Sequence, residues 1–400
     1  MPGFSQRLGR VRVAASVAMT IKARELRAAG KPVITLTTGE PNFDSPPHAI
    51  EAAHQAALAG DTKYPPQDGT RAFKEAIQRK FKRDNDLDYA MDEICVGNGG
   101  KQCLFNAIMA TVDPGDEVVI PVPSWIAYAQ MTQLCEGVPV LVNCPQNNGF
   151  KPRPEDIDAA ITPRTKWLIL NNPNNPTGAC CTADELRAIA AVMRKHPHVW
   201  ILSDDMYEHL IFGGFDHATI AQVAPDLKDR TLTVTGVSKT YAMTGWRIGF
   251  AGGPKPLIKA MVNMQGQATA GISTVGMAAA VAALNGPSDG VRAQNEAYKR
   301  RRDIAVSMLN NSPGISCHSP EGAFYVFPNV AGCLGKTTAG GRVLKTDEDV
   351  CLALLEEHYV ATVHGAAYHM SPYLRISTAT ADDDLVEGLK RIQIFCEGLH

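Results

Sequence analysis

Two cations stand where the chain is otherwise built for burial. In "TVTGVSKTYAMTGWRIGF", an apolar run ends in small residues, Lys239 follows Ser238, and Arg247 comes eight positions later between a tryptophan and a second apolar run. A lysine stripped of its charge by desolvation and neighbouring cations attacks carbonyl carbon. An arginine grips an anion with a planar fork. Other polar residues end apolar runs upstream. Asp204 follows "WILS", with Tyr207 three residues on, and the loop "NNPNNPTG" presents Asn175. Earlier still, "GNGGKQ" is a Gly-rich turn opening a helix, whose free N–H groups suit a phosphate.

Each feature alone has an ordinary reading. "GNGGKQ" serves equally as a structural turn, and it matches neither a Walker A loop nor the G-x-G-x-x-G fingerprint. Asp204 alone serves equally as a helix cap, and a lone lysine at a strand end usually snorkels to solvent. Taken together, an anion cradle, a carboxylate and an amine meet the three requirements of pyridoxal phosphate: phosphate, ring nitrogen and aldehyde.

The elements that must position these residues follow from hydrophobic pattern. "DEVVIPVP", "KWLILNN", "VWILSDD" and "TLTVTGVS" read as strands, nearly continuous in apolar character, as in a sheet covered on both faces. Helical stretches alternate with them: "KQCLFNAIMATV" carries a stripe of Leu104, Phe105, Ile108, Met109 and Val112, and "TADELRAIAAVMRKH" opens with capping-box spacing from Thr182 to Glu185. This alternation predicts an α/β fold with a mostly parallel sheet, whose ligands bind beyond the C-terminal strand ends. The N-terminal stretch predicts a helix over 17–29 and a strand over 32–37. From about Pro287 a long charged helix, a strand pair around "GISC" and "GAFYVFP", a helix at "DEDVCLALLEEH", the strand "YLRIS" and a closing helix predict a smaller α+β lobe.

Bulk properties bound the rest. Four hundred residues, 45% hydrophobic, exceed one ordinary core. A net charge of −2 gives no reason to expect a nucleic-acid partner. Ten scattered cysteines, with no C-x-x-C pair, read as reduced thiols used as small apolar residues, Cys180 and Cys181 among them. No apolar run approaches the roughly 20 residues that span a bilayer. Arg7, Arg10 and Arg12 precede the first acid, Glu25, but the pattern runs on into helix and strand, so the expected compartment is the cytoplasm rather than an organelle reached by a cleaved presequence.

The motifs in order, "LTTGEPNFDSP", "TKYPPQDG", "GGKQ", "NNPNNPTG", "SDDMYEHL", "SKTYAMTGWRIGF" and "YLRIS", cover nearly the whole chain. It resembles the fold type I, pyridoxal-phosphate-dependent aminotransferases of the aspartate aminotransferase family, most of all the bacterial subgroup with aspartate/prephenate aminotransferases. The resemblance implies a seven-stranded, mostly parallel sheet in a large domain over 46–286, and a small domain made of 1–45 and 287–400. It also implies a homodimer with active sites at the subunit boundary. Lys239 would bond the cofactor aldehyde and then move the proton, Asp204 would hold the ring nitrogen protonated, and Tyr207 and Asn175 would bond the ring oxygen. Trp125 would stack on the ring. The phosphate would meet Gly100, Lys101, Ser238, Arg247 and, from the other subunit, Tyr64. Arg375 would grip the substrate's α-carboxylate beside the Gly39 backbone, with Asn175 and Trp125 also facing substrate.

The sequence departs from many relatives at Gly236, where a phosphate-binding serine is common, at Ser124 and Thr378, where tyrosine is common, and over "GISTVGMAAAVAAL". The last three are expected near the pocket and bear on substrate identity. Arg12 stands where dicarboxylate-accepting relatives carry a basic residue, and is expected to anchor the distal carboxylate. The leading expectation is ping-pong transfer between a dicarboxylic amino acid, aspartate first, and 2-oxoglutarate. Aromatic or prephenate transamination and β-elimination on the same scaffold stay open. A cofactor-binding DNA regulator is disfavoured, since only about thirty residues precede the first strand, without a helix-turn-helix.

Overall fold

The computed structural model describes residues 3–11 and 15–400. Seven strands form the central sheet: β1 (Ile94–Asn98), β2 (Glu117–Val122), β3 (Val138–Asn143), β4 (Thr165–Asn171), β5 (Trp200–Asp204), β6 (Thr231–Gly236) and β7 (Ile248–Gly252). Their order is β1-β7-β6-β5-β4-β2-β3, and β7 alone runs against the others. Every residue of β6 is buried, as its uninterrupted apolar character requires. At the edge, β3 is mostly open, with Val138 and Leu141 exposed.

Helices cover both faces. Gly100–Thr111 buries Cys103, Leu104, Ala107 and Ile108 while Phe105 and Met109 are only partly covered, a slightly rotated version of the expected stripe. Ala183–Lys195 begins where its capping box requires: the Thr182 hydroxyl accepts the Glu185 N–H at 3.2 Å, and the Glu185 carboxylate accepts the Thr182 N–H at 2.7 Å. On one side of β1 and β7, Phe250 is fully buried with Phe73 and Phe81 edge-on at 6.0 and 5.7 Å.

The chain ends share a second core. Met19, Ala23 and Leu36 pack in one cluster with Leu354, Val360, Leu374 and Phe395. Ile34–Thr35 pairs in parallel with Val360–Ala361, and a small antiparallel sheet joins Val363–His364, Leu374–Ser377 and Tyr325–Val326. The helix at the start spans Ala15–Ala28, close to expectation, but the strand expected over 32–37 shrinks to two residues. "GISC" forms no strand; a single bridge, Ser316 to Asn329, is all that ties it to the neighbouring segment. Cys180 is fully buried and Cys181 half-buried, so both are packing residues, and every cysteine is a free thiol. No helix among the described residues is long and apolar enough to cross a membrane.

Replacing Phe250 with alanine removes a ring from a packed aromatic trio and should destabilise the protein by about 3–5 kcal/mol. Urea unfolding of the two proteins checks this; a shift under about 1 kcal/mol would show that the cluster collapses around the gap.

Candidate active site

The C-terminal ends of the parallel strands open into a cavity of about 610 Å³. β5 ends at Asp204, with Tyr207 in the turn after it, and β6 leads to Ser238 and Lys239. Asn175 follows β4, Trp125 follows β2, and β1 leads through Gly99 to Gly100 and Lys101 at a helix N-terminus. The second core contributes Gly39 and Arg375 from the opposite wall. Residues almost 340 positions apart thus face one space.

One end of the cavity is built for an anion. Gly99 takes φ +75°, and a Cβ there would fall 2.5 Å from Nη2 of Arg247. Arg247 itself is left-handed, φ +58°, and its guanidinium donates to Thr244 O at 2.8 Å and Asn98 O at 3.2 Å. In return the Gly99 N–H donates to Arg247 O at 3.0 Å. A side chain on Gly249 would collide with the Gly100 backbone at 2.1 Å, so β7 and the helix start approach as closely as backbones can. The helix N-terminus, Arg247 and Ser238 all line this cavity, donors of the kind that bind an anion. Lys101 stands with its Nζ 5.1 Å over the Trp125 ring.

The other end holds a lone buried carboxylate. Asp204 accepts the Tyr128 hydroxyl on Oδ2 at 2.7 Å and the Met206 N–H on Oδ1 at 3.3 Å. Burial nevertheless pushes its pKa up to about 6, against the pull of those bonds and of Lys239. Charging this group costs about 3 kcal/mol more than charging it in water, and a cation placed beside it recovers that cost. Tyr207 shares its hydroxyl with that of Tyr325 at 3.0 Å.

Between the ends lies Lys239, whose Nζ donates to Gly39 O. Burial lowers its pKa to about 8; Glu40 opposes this, and Arg375 and Arg247 reinforce it. Arg375 is 5% exposed, sandwiched with its guanidinium carbon 4.6 Å from the Tyr325 ring and 5.1 Å from that of Tyr368. It donates to Asn175 Oδ1 at 3.1 Å and to Thr37 O, while its Nε has no partner. A buried guanidinium that lines a cavity with only neutral partners can take a carboxylate as a charged, bidentate partner. Asn171 braces the arrangement: its amide donates to Asp204 O at 2.8 Å and its carbonyl accepts the Asn175 N–H at 2.7 Å. The helix Ala15–Ala28 walls the cavity and is tied to the same clamp, since Thr20 Oγ1 lies 3.1 Å from Thr37 Oγ1.

Residues 31–392 match the family described as "Aminotransferase class I and II". The chain belongs to this family. It is 53% identical over 399 residues to an aspartate/prephenate aminotransferase of Cereibacter sphaeroides, covering all of both chains. Its fold superposes on the aspartate aminotransferase of Rhizobium meliloti with a TM-score of 0.97 at 50% identity, covering all of both chains. On a Thermus thermophilus aspartate aminotransferase solved with maleate, the TM-score is 0.92 at 39% identity, covering 99% of this chain and all of that one. The protein is thus a pyridoxal-phosphate-dependent transaminase of fold type I. Its cavity fits the cofactor: the anion cradle takes a phosphate, Lys239 is an amine near its charge midpoint, and the costly Asp204 carboxylate suits a protonated ring nitrogen.

Of the described site residues expected from sequence, Tyr64 does not line this aminotransferase's cavity. Tyr64 is 95% exposed and lines a separate surface hollow with Thr269–Val275. Arg12 lies outside the described residues. The expected specificity positions are also displaced. Ser124 lines a small neighbouring cavity behind Tyr128, Thr378 is buried with its N–H on Phe324 O, and Thr274–Asn285 packs in the core of Phe73 and Phe81. Gly236 leaves no room for serine, since a Cβ would sit 2.9 Å from Ile248 O and 3.0 Å from Gly249 Cα.

Sequence reasoning missed Tyr128, Tyr325 and Asn171. Tyr128 had a signal, being one helical turn beyond Trp125, with the two rings edge-on at 5.6 Å. Because its hydroxyl lowers the Asp204 pKa, Tyr128→Phe should raise it above about 6 and leave less carboxylate at neutral pH. The pH profile of pyridoxal phosphate uptake by the cofactor-free variant should then move to higher pH on its acid side. An unmoved profile would remove Tyr128 from this role.

Proposed function

We propose that this transaminase moves the amino group of a dicarboxylic amino acid, aspartate first, to 2-oxoglutarate in two half-reactions at one site. The observation that carries this reading is Arg375, a buried guanidinium that lines the cavity with neutral partners, Asn175 and the Thr37 carbonyl. The names of relatives at 50% identity and above, aspartate and aspartate/prephenate aminotransferase, support the same substrate class, as does the maleate in the Thermus structure.

When bound, pyridoxal phosphate supplies an aldehyde that exchanges the amino group and a ring that accepts the electron pair left at the substrate's α carbon. Lys239 would hold the aldehyde and, when free, would take and return the proton of the substrate's α carbon. A pKa of about 8 suits an amine to such transfer near neutrality. Asp204 would keep a proton on the ring nitrogen, Tyr207 and Asn175 would bond the ring oxygen, and Trp125 would pack on the ring. Gly100, Lys101, Ser238 and Arg247 would hold the phosphate. Arg375 and Gly39 fix the α-carboxylate, so the bond that breaks is held in one orientation.

We further propose a homodimer in which Tyr64 of one subunit completes the phosphate site of the other. The near-full exposure of Tyr64 supports this. Arg12 is assigned to the second carboxylate of the substrate. The lobes divide at 46 and 287, a reading supported by the core shared between the chain ends, and the compartment is the cytoplasm. A second acceptor, prephenate, is favoured by the name of the Cereibacter relative and by Val17 and Ile21, exposed apolar residues on the cavity wall.

Borohydride reduction of the holoenzyme should fix the cofactor on Lys239; an adduct on any other residue rejects the site assignment. Arg375→Lys should cut kcat/KM for aspartate by roughly 10–100-fold through loss of one charge-assisted bond of about 1.5–3 kcal/mol. Stoichiometric appearance of glutamate from 2-oxoglutarate would be measured alongside, and ammonia release without glutamate would instead make the enzyme a lyase.

A further inference from the structure

Three acids crowd the turn that carries the site: Asp204, Asp205 and Glu208 fall within five residues, all at most 6% exposed. A dry stretch of protein cannot hold three unpaired negative charges, so each must be handled separately. Asp205 is pushed up to about 8 by burial and then by Glu208, and keeps its proton at neutral pH. Its Oδ1 accepts the Ser203 hydroxyl at 2.9 Å, which in turn lies 3.1 Å from Thr219 Oγ1. Glu208 goes the other way. Burial pushes it up, but Lys80, with His209 and His217 beyond, holds it at about 2.

The Glu208 carboxylate is gripped by three residues on two elements. Lys80 Nζ, on the helix Arg71–Asn85, lies 2.5 Å from Oε1 and donates to Asn85 Oδ1 at 2.6 Å. Asn85 at that helix's end donates to Oε2 at 2.9 Å. Thr235 on β6 donates to Oε1 at 2.8 Å. Asp84 stands 3.9 Å from Lys80 and 3.2 Å from His209 Nε2, closing the outer side. Both members of the central pair are almost wholly buried, with side chains 3% and 4% exposed.

A buried ion pair is a poor source of stability, because desolvating two charges offsets most of their attraction. Its geometry is more telling. The Glu208 N–H bonds Asp205 O at 3.0 Å, and the Leu210 N–H bonds Tyr207 O at 2.8 Å, so residues 204–210 form one compact turn. Asp204 and Tyr207 face the cavity from that turn while Glu208 faces the opposite way, into the Lys80 cluster. Holding Glu208 holds the turn from behind.

We propose that the Lys80–Glu208 pair is a positioning device for the transaminase: it pins the 204–210 turn to the helix Arg71–Asn85 and to β6, and thereby sets where Asp204 and Tyr207 meet the cofactor ring. Neither Lys80 nor Glu208 reaches the cavity. The inference rests on the assignment of Asp204 and Tyr207 to the ring, and borohydride mapping to Lys239 tests that assignment separately.

The experiment compares holoenzymes of Lys80→Met, Glu208→Gln and the double variant at equal cofactor content. A displacement of even about 1 Å at the ring is expected to cost roughly tenfold or more in kcat. KM for the amino donor should stay within about twofold of wild type, since Arg375 and Asn175 are untouched. The visible absorption band of the bound cofactor should shift in each single variant. The double variant leaves no unpaired charge but no pin either, so its kcat should stay low and its band shifted; recovery of both would trace the single-variant losses to an unpaired buried charge and overturn the proposal. Should Lys80→Met not yield folded holoenzyme, Thr235→Val removes one bond to Glu208 without unpairing a charge and should show the same split in milder form. Wild-type kcat and an unshifted band in these variants, with or without a lower melting temperature, would make the pair merely structural and overturn the proposal.

Discussion

The site depends on where a single carboxylate is allowed to be. Asp204 closes β5 in the middle of the sheet, where strands on both sides and helices above and below exclude water. In that environment a charge is expensive, and the expense is what makes the residue useful, because a cation brought next to it is bound tightly and kept protonated. The remaining groups follow from its placement. Asn171 reads the Asp204 backbone and passes that register to Asn175, which meets Arg375 from the other core. Tyr128 fixes the carboxylate from the helix after β2. A short chain of hydrogen bonds thus links the cofactor end of the cavity to the substrate clamp.

The strands that carry the site were legible because they are buried on both faces. "KWLILNN", "VWILSDD" and "TLTVTGVS" have no polar alternation to confuse with surface, and their polar ends mark the cavity directly. What failed were segments whose structure is decided elsewhere. "GISC" has strand composition but lies against a single bridging partner, and 32–37 pairs for only two residues before turning toward the cavity. The reach of the pairing partner, not composition, set the outcome in both.

Among the site residues, those with distinctive type at a strand end could be read: Lys239, Asp204, Asn175. Tyr325 could not, because an isolated tyrosine in an apolar stretch looks like core until its hydroxyl partner is known, and that partner lies 118 residues away. Ser124 and Thr378 show the converse. Sequence proximity to Trp125 and Arg375 suggested that they face substrate, but neighbouring side chains on an extended segment alternate sides, and both turn inward. "SDDMYEHL" held more than its first acid and its tyrosine; Asp205 and Glu208 look like solvated charge until burial is measured.

The hydroxyl contact between Thr20 and Thr37 has a wider meaning. Thr37 O is one of the two acceptors that orient Arg375, so the first long helix of the chain and the arginine proposed to hold the α-carboxylate are separated by one residue. In most enzymes of this size the opening residues are a convenient place for affinity tags, fusions or trimming. In this transaminase the helical stretch from Ser16 to Arg24 lines the cavity itself. Catalytic constants measured on a protein altered in that stretch describe the alteration together with the enzyme.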